Sequence, residues 1–121
     1  VDIARLLLLN GADVKKANKK GDWPLWSACS FGHFDVARLL LNKGADVNRR
    51  HEKQKGGTPL YIACQKGHLR VVRLVLERGA DANLAVRGNN VTSPLMLASG
   101  QGHIDIVRLL LANGADVEQA D

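Results

Sequence analysis

The sequence predicts an all-α solenoid of stacked helix-turn-helix units with projecting hairpin-like loops, and three recurrences predict it. Gly-Ala-Asp returns at Gly11, Gly44, Gly79 and Gly114, with spacings of 33, 35 and 35. Pro-Leu returns at Pro24, Pro59 and Pro94, and Gly-His at Gly32, Gly67 and Gly102, each at intervals of 35. Such a period marks an array whose units bury their apolar faces on one another. Residues that recur in every copy are explained by folding, so function is sought where the copies differ.

The chain reads as one domain over 1–121, with a partial repeat over 1–20 and full repeats over 21–55, 56–90 and 91–121. The partial repeat supplies a second helix, with the stripe Ile3, Leu6, Leu7. In the repeat over 21–55, Trp23 precedes Pro24, and the second helix carries Val36, Leu39 and Leu40. In the repeat over 56–90, the Thr58 hydroxyl caps a first helix that opens on Pro59, where a missing N–H costs nothing. Leu60, Ala63 and Cys64 form its apolar face, and Gly67-His68 ends it after about two turns. A second helix begins near Leu69, with Val71, Leu74 and Val75 facing a core while Arg70, Arg73 and Glu77 point away. Gly79 closes it in the left-handed conformation. The repeat over 91–121 carries the stripe Ile106, Leu109, Leu110.

The composition, 45% apolar and 24% charged in 121 residues, is that of a folded domain. No apolar run approaches the roughly 18 residues of a membrane span. Cys29 and Cys64 fall in equivalent places of successive units, about 8–10 Å apart by helix packing, too far for the roughly 7 Å limit of a disulfide. Reduced, buried thiols predict an intracellular, cytoplasmic setting. The chain begins at Val1 inside a helical pattern, which reads as a segment of a longer protein, so targeting signals are unreadable from it.

Thr58-Pro59-Leu60, Gly67-His68 and Gly79-Ala80-Asp81, with Asn83 two residues on, together resemble the ankyrin repeats, and the match covers essentially the whole chain. The resemblance implies an L-shaped stack whose first helices line a concave face and whose loops project as fingers, binding other proteins there. Three departures stand out. Trp26, Tyr61 and Met96 occupy the place of the family's His after Thr-Pro-Leu. Trp23 stands where the capping Thr is expected, which predicts that the first full unit is the weakest. Two fingers are long, with 14 positions from Gly44 to Thr58 and from Gly79 to Ser93 against 12 from Gly11 to Trp23.

Chemistry-bearing arrangements reduce to folding. Cys29/His33 and Cys64/His68 share a Cys-x-x-x-His spacing, but the third copy has Ser99 with His103, and no metal is expected. Gly100-Gln101-Gly102 lacks both a third glycine and a preceding strand, so it is no dinucleotide loop. No cofactor is expected, and no catalytic constellation is evident. His51 alone lies outside the repeat register and reads as a solvated side chain in a charged loop.

Charge is more informative. The three fingers hold +4, +3 and +1, against +5 for the whole chain, so positive charge is concentrated in loops expected side by side. Such a stripe favours acidic partners, although a solvated, solubilising edge is the simpler alternative. Nucleic acid fits poorly, since the basic loops lack stacking aromatics. Arg5, Arg38, Arg73 and Arg108 form a solvated ridge. Trp26 and Phe31 are candidate anchors for a partner, with the alternative that Trp23 and Trp26 belong to a core left bare before the first full repeat.

The expected activity is therefore non-enzymatic protein binding by a monomeric segment. Within the family pattern the contacts fall at Lys19, Lys20 and Asp22 of the first finger, and at Ser30 and Phe31 beside Trp26. They continue through Arg50, Lys53 and Lys55 to Gln65 and Lys66. Arg87, Asn89 and Asn90 of the third finger, and Gln101, complete the surface. The alternative is a structural spacer within a larger protein whose working domain lies elsewhere.

Overall fold

The structure is a computed structural model that describes residues 15–86 and 91–115. Among the described residues are six α-helices in three pairs: α1 (Pro24–Phe31) with α2 (Phe34–Asn42), α3 (Pro59–Lys66) with α4 (Leu69–Glu77), and α5 (Pro94–Gly100) with α6 (Ile104–Ala112). First helices stack as α1, α3, α5, and second helices stack beside them as α2, α4, α6. The stripe Ile3, Leu6, Leu7, together with Arg5, lies outside the described residues.

The local signals act as the sequence implies. Thr58 Oγ1 accepts the Tyr61 N–H at 3.2 Å, and Ser93 Oγ accepts the Met96 N–H at 3.1 Å. Trp23 caps nothing with its side chain, so α1 begins without that hydrogen bond. Leu25, Cys29, Leu60, Ala63, Cys64 and Ala98 are buried along the first-helix layer, and Leu40, Val71, Val75, Ile106 and Leu110 along the second. Each fully buried aliphatic side chain contributes roughly 1.5–3 kcal/mol. Ala28, Ala63 and Ala98, at equivalent places, leave room for neighbouring first helices to approach closely.

The Gly-His marker has a clear packing cause. Gly32 adopts φ +74°, and a Cβ there would lie 2.7 Å from His68 Nδ1 of the next repeat. The same ring places Nε2 3.1 Å from the Ser30 carbonyl oxygen, to which it donates. Gly67 meets the His103 ring in the same way, with a Cβ contact of 2.9 Å. Each histidine thus seats on the previous repeat's turn, which only glycine leaves open.

Gly-Ala-Asp likewise does intrachain work. Asp46 Oδ1 accepts the Asn48 N–H at 2.9 Å, and Asp81 Oδ1 accepts the Asn83 N–H at 2.9 Å. These short turns aim the asparagines at the next repeat. Asn48 accepts from the Asp81 N–H and donates to the Gly79 carbonyl, while Asn83 donates to the Gly114 carbonyl.

Candidate functional site

The second finger uses its extra length to build a short 3-10 turn, Glu52–Gln54. Lys55 and Gly56 follow with φ 58° and 79°, turning the chain back so that His51 and Gly57 pair as an antiparallel bridge. Val86 and Thr92 pair identically in the third finger. The second finger is therefore a narrow hairpin closed by one bridge, and the third carries a bridge at the same place.

His51 departs from the solvated loop residue expected of it, because it is 0% exposed. Its Nδ1 accepts the Lys53 N–H at 3.1 Å, which leaves Nε2 to donate to Asp22 Oδ1 at 2.7 Å. Its ring lies 4.4 Å from that of Trp26 and 5.5 Å from that of Trp23. The charged sequence around His51 obscured a buried position, yet Val86 stands at the same place after its Gly-Ala-Asp and is buried too. That apolar counterpart was the available signal.

The tryptophans belong to the core. Trp26 is 4% exposed and tilted against Trp23 at 5.5 Å, so it shows only an edge to the surface and does not protrude as an anchor. The Trp23 indole N–H is buried without a hydrogen-bond partner, at a cost of roughly 1–3 kcal/mol. Phe31 behaves oppositely: it is 70% exposed and stacks with His33 at 6.1 Å.

Much of the basic stripe is spent on joining fingers. Arg49 lies 4.3 Å over the Trp23 ring and donates to the Lys15 carbonyl at 2.7 Å. Arg50 bridges the Gly56 and Ala85 carbonyls at 2.9 Å each, tying the second finger to the third. Lys53 Nζ reaches the Lys19 carbonyl of the first finger at 2.7 Å. The side chains of Lys19, Lys20 and Lys55 are exposed. Asp22, partly buried, is committed to His51.

A groove of about 220 Å³ runs between the second finger and the first helices. It is lined by Lys53, Gln54 and Lys55 of the second finger, by Tyr61, Ile62 and Gln65 of α3, and by Trp26 and Val86. Burial pushes the Tyr61 phenol up from its ordinary value. Trp26, Lys53, Lys55 and Gln65 are thus brought together, and Tyr61, Ile62 and Val86 join them without having been anticipated. Ser30, Phe31, Lys66 and Gln101 do not line this groove; Lys66 and Gln101 are exposed at equivalent places along the first-helix row. Arg87, Asn89 and Asn90 lie outside the described residues.

The Cys-x-x-x-His pairs diverge in space. Both thiols are free and in the core, pushed up to about 12 by desolvation, while the His68 ring seats on the preceding repeat. Among the described residues, no group of three metal-ligating side chains gathers, and no helix is long and apolar enough to cross a membrane.

Compared with protein families, the sequence matches the one described as ankyrin repeats (three copies), over residues 1–86 and again over 50–121. The chain belongs to the ankyrin-repeat family. A comparison with curated proteins finds no match. Ankyrin repeats are in general protein–protein interaction modules and typically non-catalytic. In this ankyrin array Trp26 follows Trp23-Pro24-Leu25, and the imidazole that packs against its ring comes from the finger, as His51.

Proposed function

We propose that this chain is a non-enzymatic protein-binding module that takes a partner segment with acidic character along the first-helix face, between that face and the basic fingers. The observation that carries the reading is the groove that Lys53 and Lys55 line together with Tyr61 and Gln65. Lys19, Lys20 and Lys66 are exposed and add to the positive charge of the surface. A pre-formed wall favours binding, because the second finger is already ordered by His51 and Arg50 and little entropy is lost when a partner docks. The surface charge raises the encounter rate at low salt and loses that effect over a screening length of about 8–10 Å at higher salt.

Lys19, Lys20, Lys55 and Lys66 are the residues to reverse, since Arg50 and Lys53 also hold the fingers together. Replacing all four by Glu is expected to lower capture of protein partners from lysate at least about tenfold, with helical circular dichroism unchanged. Capture that persists with the fold intact would sink the charged-groove reading and favour a structural spacer.

A further inference from the structure

The array supplies its own template for a second site, at the edge where the helix pairs turn. Between the first two full repeats, Arg70 in the first turn of α4 reaches back over Phe34, its guanidinium carbon 4.3 Å from the ring centroid. A cation in the first turn of a helix opposes the helix dipole, and stacking on the ring offsets that cost. The Arg38 guanidinium lies over the same ring at 5.7 Å, so this edge accommodates two cations.

One repeat later, Leu69 takes the place of Phe34 and Asp105 the place of Arg70. A groove of about 480 Å³ lies there, lined by Gly67, Leu69, His103, Ile104 and Asp105 among others. Ile104 is 63% exposed, an unusual exposure for a large aliphatic residue in this structure. Asp105 forms no ion pair among the described residues, although Arg108 stands at the same i,i+3 spacing by which Arg38 meets Asp35 at 3.7 Å.

We infer that this edge groove receives an arginine side chain from a partner protein, its stem lying over Leu69 and Ile104 and its guanidinium pairing with Asp105. The incoming group would fill the space that Arg70 fills at the preceding junction. Arginine suits the groove better than lysine, because its planar fork pairs with a carboxylate through two hydrogen bonds and is more weakly hydrated. The site is separate from the groove beside the second finger, so its failure leaves that reading untouched.

The test is an amide chemical-shift titration of the ¹⁵N-labelled chain at low salt with capped pentapeptides Gly-Leu-X-Leu-Gly, where X is arginine, lysine, citrulline or glutamate. The arginine peptide is expected to move the Gly67, Leu69, Ile104 and Asp105 amides and to bind at least about threefold more tightly than the citrulline peptide, the scale of an exposed ion pair. Asp105→Asn should abolish that preference. Asp105→Arg should abolish the shifts by closing the groove from within, and Ile104→Ser should weaken the arginine and citrulline peptides alike. Both sites are exposed, so the variants keep the fold. Equal binding of citrulline and arginine, an arginine preference that survives Asp105→Asn, or shifts centred on Asp35 or Glu77 would overturn the inference.

Discussion

The two repeat junctions share one scaffold and differ in what is laid over it. At both, a histidine ring seats on the glycine of the preceding turn, and an asparagine carries the finger to the next repeat. Over the first full repeat, however, the finger is locked by His51, Trp23, Trp26 and Arg49, and Arg70 closes the opposite edge. Over the second, Val86 fills the place of His51, and Asp105 leaves the edge open. Recurring residues therefore set the stack, while the substituted ones decide which surfaces are committed within the chain and which are available to a partner.

Removing the polar lock should break this contrast most. His51→Ala deprives Asp22 and the Lys53 N–H of their partner and opens a void between two indoles. It is expected to cost about 2–4 kcal/mol. Val86→Ala removes only two methyl groups and is expected to cost about 1–2 kcal/mol. Urea unfolding of both variants checks the difference, and equal losses would show that the polar lock adds nothing to simple filling of space.

The glycine seats offer a second contrast, between an occupied and an empty turn. Gly32 and Gly102 both have φ near +75°, but a Cβ on Gly102 would meet nothing within 4 Å. Alanine at either position should cost about 1–2 kcal/mol for the left-handed backbone. Gly32→Ala should cost at least about 1 kcal/mol more, because it displaces the His68 ring and its hydrogen bond to Ser30. Indistinguishable urea midpoints would mean that the ring moves aside freely.

Periodic features were legible in the sequence because they repeat. The Thr58 cap, the missing cap at Trp23 and the stripe Val71, Leu74, Val75 all lie where the 35-residue register puts them. The candidate site was less legible, since it depends on contacts between fingers rather than on spacing along one unit. Arg50 and Lys53 looked like free surface charge, yet their donors end on the Ala85 and Lys19 carbonyls, 35 and 34 residues away in sequence. Trp26 looked equally suited to anchor or core, and only the arrival of His51 over its ring decides for core.

Cysteine gives a third contrast, since Cys29 and Cys64 are buried where the last repeat has the exposed Ser99. Both thiols are pushed up to about 12 when folded, from an ordinary value of 9.0. Above pH 9 the unfolded chain ionises them while the folded chain does not, so stability falls as pH rises and the loss is complete near pH 12. At pH 10 this amounts to roughly 1–2 kcal/mol for each thiol. Burial of Tyr61 acts in the same direction. Replacing both cysteines by alanine should flatten the decline between pH 7 and 10 by about 3 kcal/mol, and an unchanged slope in alkaline urea titrations would rule out the buried thiols as its source.

The smallest expected effect concerns the starts of the first helices. Thr58→Ala and Ser93→Ala each remove one side-chain acceptor from a helix that opens on proline, and each should cost about 1 kcal/mol. The α1 start already lacks that bond, so the Trp26 amide should exchange with solvent faster than the Tyr61 and Met96 amides in the unaltered chain. Thr58→Ala should accelerate Tyr61 alone, and Ser93→Ala should accelerate Met96 alone. If the Trp26 amide proves as well protected as its two counterparts, the tight closure of His51 and the second finger over Trp23 and Trp26 compensates for the absent cap. The first full repeat would then be no weaker than the others, despite starting from a residue that cannot cap it.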